Sequence, residues 1–483
     1  MHLSKLFLQC GSSVSVSPDP EISAVTADSR QVRPGTLFFA LRGTRQNGAA
    51  FIPQAVANGA VAIVADHPAE ASVPVILRPD ASHVLARMAS LLAGPAPAFL
   101  AAVTGTNGKS STVEFLRQLW LLQGYRAASL GTLGLISDTD VLPPPSLTTP
   151  DPVSLANTLA ALATAGVDHV ALEASSHGLE QHRLDGLRLK AAGFSNLTRD
   201  HLDYHGTIEA YRTAKLRLFD DLLPAEGIAA VNADMDPDTL NALQAAAAQR
   251  GMTLRTVGRT GTTLRLLDAT PTPSGQILRI ALRGTELPPV SLSLPGLFQA
   301  DNALLAAAMC WENEDDAMAV LECLPKLTGV RGRCERAAEL SNGAAAYVDF
   351  AHTPDALERV LGSLRPHTAG RLVVVFGAGG DRDRGKRPLM GEIAARMADL
   401  AIVTDDNPRT ENPAEIRSEI HAACPDALEI ADRRSAIAAG LNALGQGDIL
   451  VVAGKGHEQG QIVGTTILPF DDRTVVRELA GVA

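Results

Sequence analysis

Short apolar runs alternate with amphipathic stretches along most of the chain, which predicts strands that alternate with helices. The run AFLAAV is typical of a buried strand. The following KSSTVEFLRQLWLLQG places Val113, Leu116 and Trp120 at helical spacing, and Gly124 is suitably placed to end that helix. Strand-like HVALEA and AAGFSNL come next. This order predicts an α/β fold with a parallel sheet.

Changes in the pattern divide the chain into three predicted domains. Before the Pro-rich linker GPAPA, strand-like TLFFAL and the helix-then-strand pattern of FIPQAVANGAVAIVAD indicate an α/β domain over residues 1–95. Residues 96–330 form a central domain, in which the alternating TLRLL, ILRIAL and VSLSL predict an antiparallel extension. RLVVVFG, LAIVTDD and ILVVAGKG, each ending in a polar loop, predict a third domain over residues 331–483.

Composition narrows the class of protein. A length of 483 residues agrees with several domains, and 46% hydrophobic with 20% charged residues is typical of soluble globular proteins. The net charge of -11 argues against nucleic acid as a general partner. No apolar run approaches a membrane span, and LFLQCG is too short for a signal peptide. The cysteines are scattered, as expected of reduced thiols in a cytoplasmic protein: Cys10, Cys310, Cys323, Cys334 and Cys424.

The segment VTGTNGKSST, residues 103–112, looks like a Walker A phosphate loop in which Val103 replaces the first glycine. Gly108, Lys109 and Ser110 are present between a predicted strand and a predicted helix. Backbone N–H groups at such a turn bind phosphate, the lysine neutralises charge, and the serine hydroxyl can hold Mg²⁺. A tight turn with an exposed lysine is the alternative, and the complete context favours the phosphate loop.

Charged side chains after two later strands indicate a metal site. Glu173 ends the strand HVALEA, where an acid beside a phosphate loop can ligate Mg²⁺, although a plain loop carboxylate is the alternative. The segment NLTRDHLDYHGTIEAYRTAK contributes Asp200, His201, Asp203, His205 and Lys215. The i, i+4 histidines also suit zinc, but the glutamate of H-E-x-x-H is absent. A hard-cation site shared with Glu173 is therefore favoured over zinc, and ordinary loop packing of the histidines remains open.

Two loops of the third domain indicate recognition of an anionic ligand. FGAGGDRDRGKRP, with Asp405 after the next strand, imitates a dinucleotide fingerprint, but Gly377, Gly379 and Gly380 depart from the G-x-G-x-x-G register. Its basic residues favour an anion held by side chains. TDDNPRTENP places Arg409 in a Pro-bounded loop suited to a bidentate carboxylate contact, with an arginine that faces solvent as the alternative.

Taken in order, these segments resemble the Mur ligase family of peptidoglycan synthesis. The resemblance covers nearly the whole chain through DSRQVRPGTLFFALRG, VTGTNGKSST, TTPD, ALEASSHGLEQHR, NLTRDHLDYHG, AKLRLF, GRCE, VDFAHTPDALE, FGAGGDRDRGKRPLMG, TDDNPRTENP and VAGKGHEQGQ. The family's phosphate loop lacks the leading glycine, so Val103 agrees with it. The resemblance implies an N-terminal UDP-sugar-binding α/β domain, a central P-loop ATPase sheet with an antiparallel extension, and a Rossmann-like C-terminal domain that binds an amino acid.

The resemblance also implies an ADP-forming, ATP-dependent amide ligase of peptidoglycan precursor synthesis, with Mg²⁺ as cofactor. In the diaminopimelate-adding members, the D-glutamyl γ-carboxylate of UDP-MurNAc-L-Ala-D-Glu becomes an acyl phosphate that the amine of meso-2,6-diaminopimelate attacks. DNPR is the form of those members. The distal carboxylate of diaminopimelate can pair with Arg409 and Arg382, whereas lysine leaves them unmatched. A monomer without membrane or nucleic-acid partners is expected.

Individual site residues follow from the same resemblance. The catalytic set is Lys109, Lys215, Glu173 and His201. The metal set is Ser110, Glu173, His201 and Lys215 as N6-carboxylysine. The ATP set is Gly105, Thr106, Asn107, Gly108, Lys109, Ser110, Ser111, Asn302, Arg333 and Asp349. The UDP-muramyl-dipeptide set is Ser29, Thr44, Arg45, Gln46, Thr148, Thr149, Ser175, Gln181 and Arg183. The diaminopimelate set is Arg382, Asp406, Asn407, Pro408, Arg409, Gly454 and Glu458.

Departures from the family pattern leave single contacts open. Ser110 and Ser111 replace two threonines and keep the hydroxyl, whereas Gln299 and Phe350 replace an asparagine and a tyrosine near the nucleotide. A lysine-adding or folylpolyglutamate synthase-like ligase is the second enzyme hypothesis. A non-catalytic nucleotide-binding or NAD-binding protein is the hypothesis from a different class.

Overall fold

A computed structural model describes residues 1–43, 47–144, 147–272 and 275–482. By internal contacts the chain divides into two compact units. The first contains Met1–Leu264 and Leu305–Val320, and the second contains Arg265–Leu304 and Leu321–Ala483. The predicted α/β class is confirmed, since parallel sheets flanked by helices occur in both units and an antiparallel extension is present. The domain bounds 1–95, 96–330 and 331–483 stay a prediction.

The first unit begins with a four-stranded parallel sheet. Its strands are β1 (Ala24–Thr26), β2 (Thr36–Ala40), β3 (Ala60–Ala65) and β4 (Val75–Leu77), and its helices are α1 (Leu3–Gln9), α2 (Ile52–Ala57) and α3 (Ala81–Ala93). The predicted strand TLFFAL and the predicted helix-then-strand segment are both confirmed. All five residues of β2 are buried. Leu37 and Phe39 belong to one apolar cluster and Phe38 and Ala40 to another, because alternate side chains enter opposite faces of the sheet.

A larger sheet follows in the first unit. Its strands are β5 (Phe99–Thr104), β6 (Ala127–Gly131), β7 (Gly134–Ile136), β8 (His169–Glu173), β9 (Ala191–Phe194), β10 (Ile228–Asn232) and β11 (Thr253–Gly258), in the order β7-β6-β8-β5-β9-β10-β11. Its helices are α4 (Lys109–Leu122), α5 (Pro152–Thr164), α6 (Ser176–Glu180), α7 (Leu202–His205), α8 (Ile208–Arg217) and α9 (Pro237–Arg250). In this order each strand runs parallel to its neighbour, except that β6 and β7 are antiparallel.

This strand order determines where the chemistry lies. The strand β5 pairs with β8 on one side and with β9 on the other. Because parallel strands end at the same edge, the residues after these three strands meet there. The phosphate loop after β5, Glu173 at the end of β8, and the polar residues after β9 are thereby brought together.

The chain from residue 264 to residue 321 contains the predicted antiparallel segment. Its elements are β12 (Leu264–Thr272), β13 (Gly275–Leu282), β14 (Thr285–Glu286), β15 (Val290–Leu292), α10 (Leu297–Cys310) and α11 (Ala317–Leu321). The strand β13 pairs antiparallel with β14 and with β15, which confirms the antiparallel prediction.

The remaining residues of the second unit form a six-stranded sheet and a hairpin. The sheet strands are β16 (Glu335–Glu339), β17 (Ala345–Asp349), β18 (Leu372–Phe376), β19 (Leu400–Val403), β20 (Leu428–Glu429) and β21 (Ile449–Ala453), in the order β16-β17-β21-β18-β19-β20. The hairpin strands are β22 (Gly460–Val463) and β23 (Thr466–Pro469). The helices are α12 (Pro354–Leu364), α13 (Lys386–Met397), α14 (Pro413–His421), α15 (Arg433–Asn442) and α16 (Asp472–Ala480). Only the edge strand β16 runs antiparallel to its neighbour.

Two further properties concern the cysteines and the character of the helices. All five cysteines are buried, and none of them forms a disulfide within the described residues. Among the residues that the structure describes, none of the helices combines the length and apolar character that a membrane crossing requires.

Candidate active site

The phosphate loop joins β5 to α4 through two glycines with positive φ. Gly105 has φ +137° and Gly108 has φ +88°, a backbone region that favours glycine. A Cβ at position 105 would lie 2.0 Å from Oγ of Ser195, so no larger residue fits there without movement. Lys109 begins α4, and its Nζ donates to the carbonyl oxygens of Gly105 and Thr106 at 2.9 Å each. Ser110 and Ser111 follow it in the first turn and are both buried.

Residues after β9 hold the phosphate loop in place. Oγ of Ser195 donates to the carbonyl oxygen of Asn107 at 2.5 Å, and Nδ2 of Asn196 donates to the same oxygen at 3.1 Å. The backbone N–H of Thr106 donates to the carbonyl oxygen of Asn196 at 2.8 Å. The sequence prediction did not name Ser195 or Asn196. The signal that identifies them is the polar pair in FSNL, directly after the last strand residue Phe194, at the edge where the phosphate loop also lies.

Glu173 is placed beside the loop by β8 and is held by Thr132. Its Oε1 accepts from the backbone N–H of Thr132 at 2.8 Å, and its Oε2 accepts from Oγ1 of Thr132 at 3.1 Å. The side chain is buried at 2% exposure. Each oxygen therefore accepts one hydrogen bond and retains a lone pair, which leaves the carboxylate able to ligate a cation. Thr132, like Ser195 and Asn196, was not named by the sequence prediction.

Lys215 lies on α8, and its side chain contacts the phosphate loop. Its side chain is 1% exposed, its Nζ donates to the carbonyl oxygen of Gly105 at 2.7 Å, and Nζ lies 4.4 Å from the ring centre of Tyr211. Burial lowers the pKa of Lys215 well below its ordinary value, and the nearby charge of Lys109 adds to that effect. Burial also raises the pKa of Tyr211 to about 12, and its hydroxyl donates to Oγ1 of Thr106.

The two predicted histidines differ in their surroundings. His201 is exposed, has φ +52°, and its Nε2 lies 3.5 Å from Oδ2 of Asp200. The ring of His205 is buried, with Nε2 at 2.9 Å from Oγ of Ser176 and Nδ1 at 3.1 Å from Oε2 of Glu180. Both ring nitrogens of His205 therefore have protein partners, which favours structural packing over a zinc ligand for this residue. The side chain of Asp203 lies outside the described part of the chain.

Most of the predicted UDP-muramyl-dipeptide residues form one hydrogen-bonded network. Oγ1 of Thr149 donates to the carbonyl oxygen of Glu173 at 2.8 Å and lies 3.0 Å from Oγ of Ser175. The guanidinium of Arg183 donates to the carbonyl oxygen of Thr149 at 2.5 Å and to Oε1 of Gln181 at 2.6 Å. Burial lowers the pKa of Arg183. Thr148 joins the network through Oγ1 of Thr132 at 3.2 Å.

Ser29, another predicted residue of that set, lies in the region of the N-terminal sheet. It is buried, its Oγ donates to Oε1 of Gln54 at 2.9 Å, and its carbonyl oxygen accepts from Nδ2 of Asn58. The described contacts do not link it to the network around Thr149. Thr44, Arg45 and Gln46 fall outside the residues that the structure describes.

The predicted diaminopimelate residues of the DNPR loop are held by the hairpin β22–β23. The backbone N–H of Arg409 donates to the carbonyl oxygen of Ile462 at 3.0 Å, and its carbonyl oxygen accepts from Gly464 at 2.7 Å. Arg409 has φ +51°, and its Nη1 donates to the carbonyl oxygen of Gly380 at 2.8 Å. The side chain is therefore half-buried against the glycine loop and does not simply face solvent. Pro408 is buried next to it.

Lys455, in the loop after β21, contacts the DNPR loop and was missed by the sequence prediction. It is fully buried, and its Nζ donates to Oδ1 of Asn407 and to the carbonyl oxygen of Gly460, both at 2.8 Å. Nδ2 of Asn407 donates to Oε2 of Glu458 at 2.9 Å. Burial lowers the pKa of Lys455, against the opposing effect of nearby Asp406. The signal was available in the sequence, because VAGKGHEQGQ places this lysine between Gly454 and Glu458.

The basic loop does not behave as its composition predicts. Arg387 is fully buried and donates to both oxygens of Glu411 at 3.0 Å, and Arg384 also donates to Glu411 at 2.8 Å. These two guanidiniums are neutralised within the protein, so the expectation of a broadly basic anion site is wrong for them. Arg382 is exposed in the same loop, and Nζ of Lys386 donates to the carbonyl oxygen of His352.

Three predicted ATP residues of the second unit lie around one arginine. The guanidinium of Arg333 lies 4.7 Å from the ring centre of Phe350. The backbone carbonyl oxygen of Arg333 accepts from Nε2 of Gln299 at 3.2 Å. Oε1 of Gln299 in turn accepts from Asn302 at 3.4 Å. Gln299 and Phe350, the two departures from the family pattern near the nucleotide, thus both contact Arg333. The phenyl face provides the cation–π contact without a tyrosine hydroxyl.

Asp349 completes this group at the end of β17. Its Oδ2 accepts from the backbone N–H of Cys334 at 2.6 Å and its Oδ1 from that of Ala351 at 2.8 Å. Burial raises the pKa of the Asp349 carboxyl, and the charge of Arg333 opposes that rise.

Sequence and structure comparisons agree with this geometry. Three family descriptions match in order: "Mur ligase family, catalytic domain" over residues 21–92, "Mur ligase middle domain" over residues 103–310, and "Mur ligase, glutamate ligase domain" over residues 332–456. The chain therefore belongs to the Mur ligase family.

Two similar proteins and one solved structure carry the same name. A protein of Caulobacter vibrioides is 53% identical over 463 residues, which is 94% of either chain, and one of Agrobacterium fabrum is 51% identical over 95% of this chain and 93% of its own. Both are named UDP-N-acetylmuramoyl-L-alanyl-D-glutamate--2,6-diaminopimelate ligase. A solved structure with the same name matches with a TM-score of 0.74 and 34% identity, over 100% of this chain and 99% of that one.

Proposed function

We propose that this chain is the ATP-dependent ligase that adds meso-2,6-diaminopimelate to the D-glutamyl γ-carboxylate of UDP-MurNAc-L-Ala-D-Glu, with release of ADP and phosphate. The observation that carries the proposal is the DNPR loop. It has the diaminopimelate form, its Arg409 is held by the β22–β23 hairpin, and it belongs to a chain about half identical to relatives of that name. The product is a precursor of peptidoglycan.

The reaction needs an activated carboxylate, because an amine does not displace oxide from a free one. An oxygen of the γ-carboxylate attacks the γ-phosphorus of ATP, the bond to ADP breaks, and an acyl phosphate forms. The amine nitrogen of diaminopimelate then attacks the acyl carbon, loses a proton, and phosphate leaves. Lys109 is positioned to exchange its carbonyl partners for phosphate oxygens and to offset their charge.

The protein has suitable groups for Mg²⁺. When bound, Mg²⁺ offsets the charge that develops on the transferring phosphoryl group. Ser110 and Glu173 supply a hydroxyl and a carboxylate at the phosphate loop, the oxygen ligands that Mg²⁺ prefers. His201 and a carboxylated Lys215 complete the proposed set. Glu173 fits this role because Thr132 occupies only one acceptor position on each of its oxygens.

Burial supports carboxylation of Lys215. An amine reacts with CO₂ only in its neutral form, in which the nitrogen lone pair bonds to carbon and a proton is released. The lowered pKa of Lys215 increases the share of that form. The product carries a carboxylate beside the phosphate loop and so converts a buried amine into an oxygen ligand.

Selectivity for the acceptor is assigned to Arg409, with Arg382 on the neighbouring loop. Diaminopimelate has a distal carboxylate that a guanidinium can bind through two hydrogen bonds, and lysine has none. Lysine would leave the half-buried guanidinium of Arg409 without its ligand. This reasoning favours the diaminopimelate-adding reaction over a lysine-adding or folylpolyglutamate-forming one.

The NAD-binding hypothesis has less support. In a dinucleotide site the acid after the second strand binds ribose hydroxyls. Here Asp405 pairs with Arg417, which also pairs with Glu429 at 2.9 Å. The acid is therefore engaged within the protein.

An ADP-release assay with the full chain tests the proposal. We expect turnover that requires both UDP-MurNAc-L-Ala-D-Glu and diaminopimelate, with L-lysine a poor acceptor. Arg409→Lys should raise KM for diaminopimelate, and Arg359→Lys on the exposed face of α12 is the matched control. Equal turnover with lysine overturns the assignment of Arg409, and ADP release without either substrate overturns the ligase.

A further inference from the structure

Two histidines and one aspartate lie together outside the proposed active site. His83 lies on α3, and His182 and Asp185 lie in the turn after α6. The Nδ1 atoms of His83 and His182 are 2.8 Å and 2.7 Å from the same atom, Oδ2 of Asp185. The rings stand nearly perpendicular with their centres 6.1 Å apart. One ligand atom from each residue lies within 4.8 Å of the other two.

One oxygen of the Asp185 carboxylate accepts no hydrogen bond within the described chain. Its side chain is 1% exposed, yet within the described chain its Oδ1 is buried without a hydrogen-bond partner. Such an unmatched buried acceptor is energetically unfavourable. Although burial raises it, hydrogen bonds from His182 and His83 and the charge of Arg217 hold the pKa of Asp185 to about 2. The group is thus a permanent anion with an unused ligand atom.

The backbone fixes the three residues against one another. His182 has φ +59°, a strained value that the turn imposes. A Cβ at Gly186 would lie 2.2 Å from the carbonyl oxygen of Ala86, so the turn packs directly on α3. Asp185 also lines a cavity of about 1060 Å³.

We propose that His83, His182 and Asp185 bind one divalent transition ion of the Zn²⁺ class. Two imidazoles and one carboxylate form a donor set that suits Zn²⁺ and leaves a position open, whereas Mg²⁺ prefers oxygen ligands. Each neutral ring moves its proton from Nδ1 to Nε2 and ligates through Nδ1, so no proton is lost. For tetrahedral ligation, the distances from the two Nδ1 atoms to Oδ2 of Asp185 must open to about 3.3 Å. Rings that are 37% and 38% exposed have room for that shift.

Arg217 is a cation that contacts the cluster, through Nη2 at 3.0 Å from Oδ2 of Asp185. It also donates to the carbonyl oxygen of Leu179 and to Oδ2 of Asp221. These partners hold the guanidinium independently of the cluster. It can remain a donor to the carboxylate, as the outer partners of metal-ligating carboxylates do.

The ion would join α3 to the turn that carries Gln181 and Arg183. Their side chains face the network around Thr149. Binding should therefore stiffen that turn and lower KM for UDP-MurNAc-L-Ala-D-Glu, a consequence that rests on the proposed function.

Titration of the full chain with Co²⁺ in excess Mg²⁺ tests the site, with the visible absorption of bound Co²⁺ and the melting temperature as readouts. We expect one more bound Co²⁺ per chain in the wild type than in His83→Ala, and a Zn²⁺-dependent rise in melting temperature that this variant lacks. His83→Cys should retain the ion, because a thiolate also ligates Zn²⁺. His2→Ala, an exposed histidine elsewhere, should match the wild type.

Equal Co²⁺ stoichiometry in the wild type and His83→Ala overturns the site. Loss of the ion in His83→Cys together with His83→Ala also overturns it, since ligand chemistry would then not matter. If Co²⁺ binds as expected and no ligase activity is found, the site stands and the proposed function fails.

Discussion

Nζ of the buried Lys455 lies 2.8 Å from Oδ1 of Asn407, and this contact fixes the orientation of the DNPR loop. The same Asn407 oxygen accepts from the backbone N–H of Ile462 at 2.9 Å, and its Nδ2 donates to Glu458. With its amide oriented in this way, Asn407 joins the loop to the β22–β23 hairpin. Lys455 is therefore a positioning residue for the acceptor site.

Lys455→Met should impair acceptor binding more than it impairs nucleotide binding. The substitution keeps the length of the side chain but removes the ammonium donor from the carbonyl oxygen of Gly460 and leaves Oδ1 of Asn407 with only the backbone N–H of Ile462, a change of about 1–3 kcal/mol. We expect KM for diaminopimelate to rise about tenfold or more, with KM for ATP nearly unchanged. Steady-state kinetics that vary one substrate at a time measure this. The exposed Lys5→Met is the control, and equal increases in both KM values would contradict the positioning role.

Phe350→Ala should weaken the binding of ATP, and Phe350→Tyr should not. The phenyl ring holds the guanidinium of Arg333 at 4.7 Å, and a cation–π contact contributes about 0.5–2 kcal/mol. Alanine removes the ring and tyrosine restores the same face. Isothermal titration with a non-hydrolysable ATP analogue gives the dissociation constants. An unchanged constant in Phe350→Ala would show that Arg333 does not need this ring.

Lys215 should make the stability of the uncarboxylated protein depend on pH. Its pKa is lowered in the folded state, whereas in the unfolded chain it has the ordinary value of about 10.4. Below that value the unfolded chain therefore binds more protons than the folded protein. Folding is then penalised increasingly as pH falls from about 10 toward neutral. Lys215→Met removes this penalty, and its free energy of unfolding should fall less steeply over that range. Urea unfolding in CO₂-free buffer checks the slope, and added bicarbonate should reduce the difference. Identical slopes would refute the lowered pKa.

His457 should reduce stability in mild acid. Burial lowers its pKa to about 4, with the charges of Arg333 and Arg331 adding to that effect. Because the ordinary value is about 6.5, the unfolded state binds a proton that the folded state does not bind between these values. The free energy of unfolding should therefore decrease as pH falls from about 6.5 to about 4. His457→Gln should flatten that decrease. His2→Gln, at an exposed site, should keep the wild-type slope, and a steep decrease in His457→Gln would count against this assignment.

Local pattern was sufficient to predict the strands and the phosphate loop. AFLAAV, HVALEA and AAGFSNL are all strands, since β-forming apolar runs of this length have few other uses in an α/β chain. The position of Glu173 beside the phosphate loop also followed, because parallel neighbours end at one edge.

Partners that are distant in sequence could not be predicted in this way. Asn196 lies 89 residues from Asn107, and Lys455 lies 48 residues from Asn407, so no local periodicity links them. Composition misjudged the basic loop because it cannot show that Arg384 and Arg387 pair with Glu411 and that Arg387 also pairs with Glu419. For the same reason, the i, i+4 spacing of His201 and His205 could not show that Ser176 and Glu180 already engage His205.

Glu173 is a junction as well as a proposed ligand. Its side chain rests on Thr132, which contacts Thr148, and its own carbonyl oxygen accepts from Thr149. A shift at any of these threonines must therefore reorient the carboxylate. Substitutions there should combine non-additively, and in evolution these positions should have changed together or not at all.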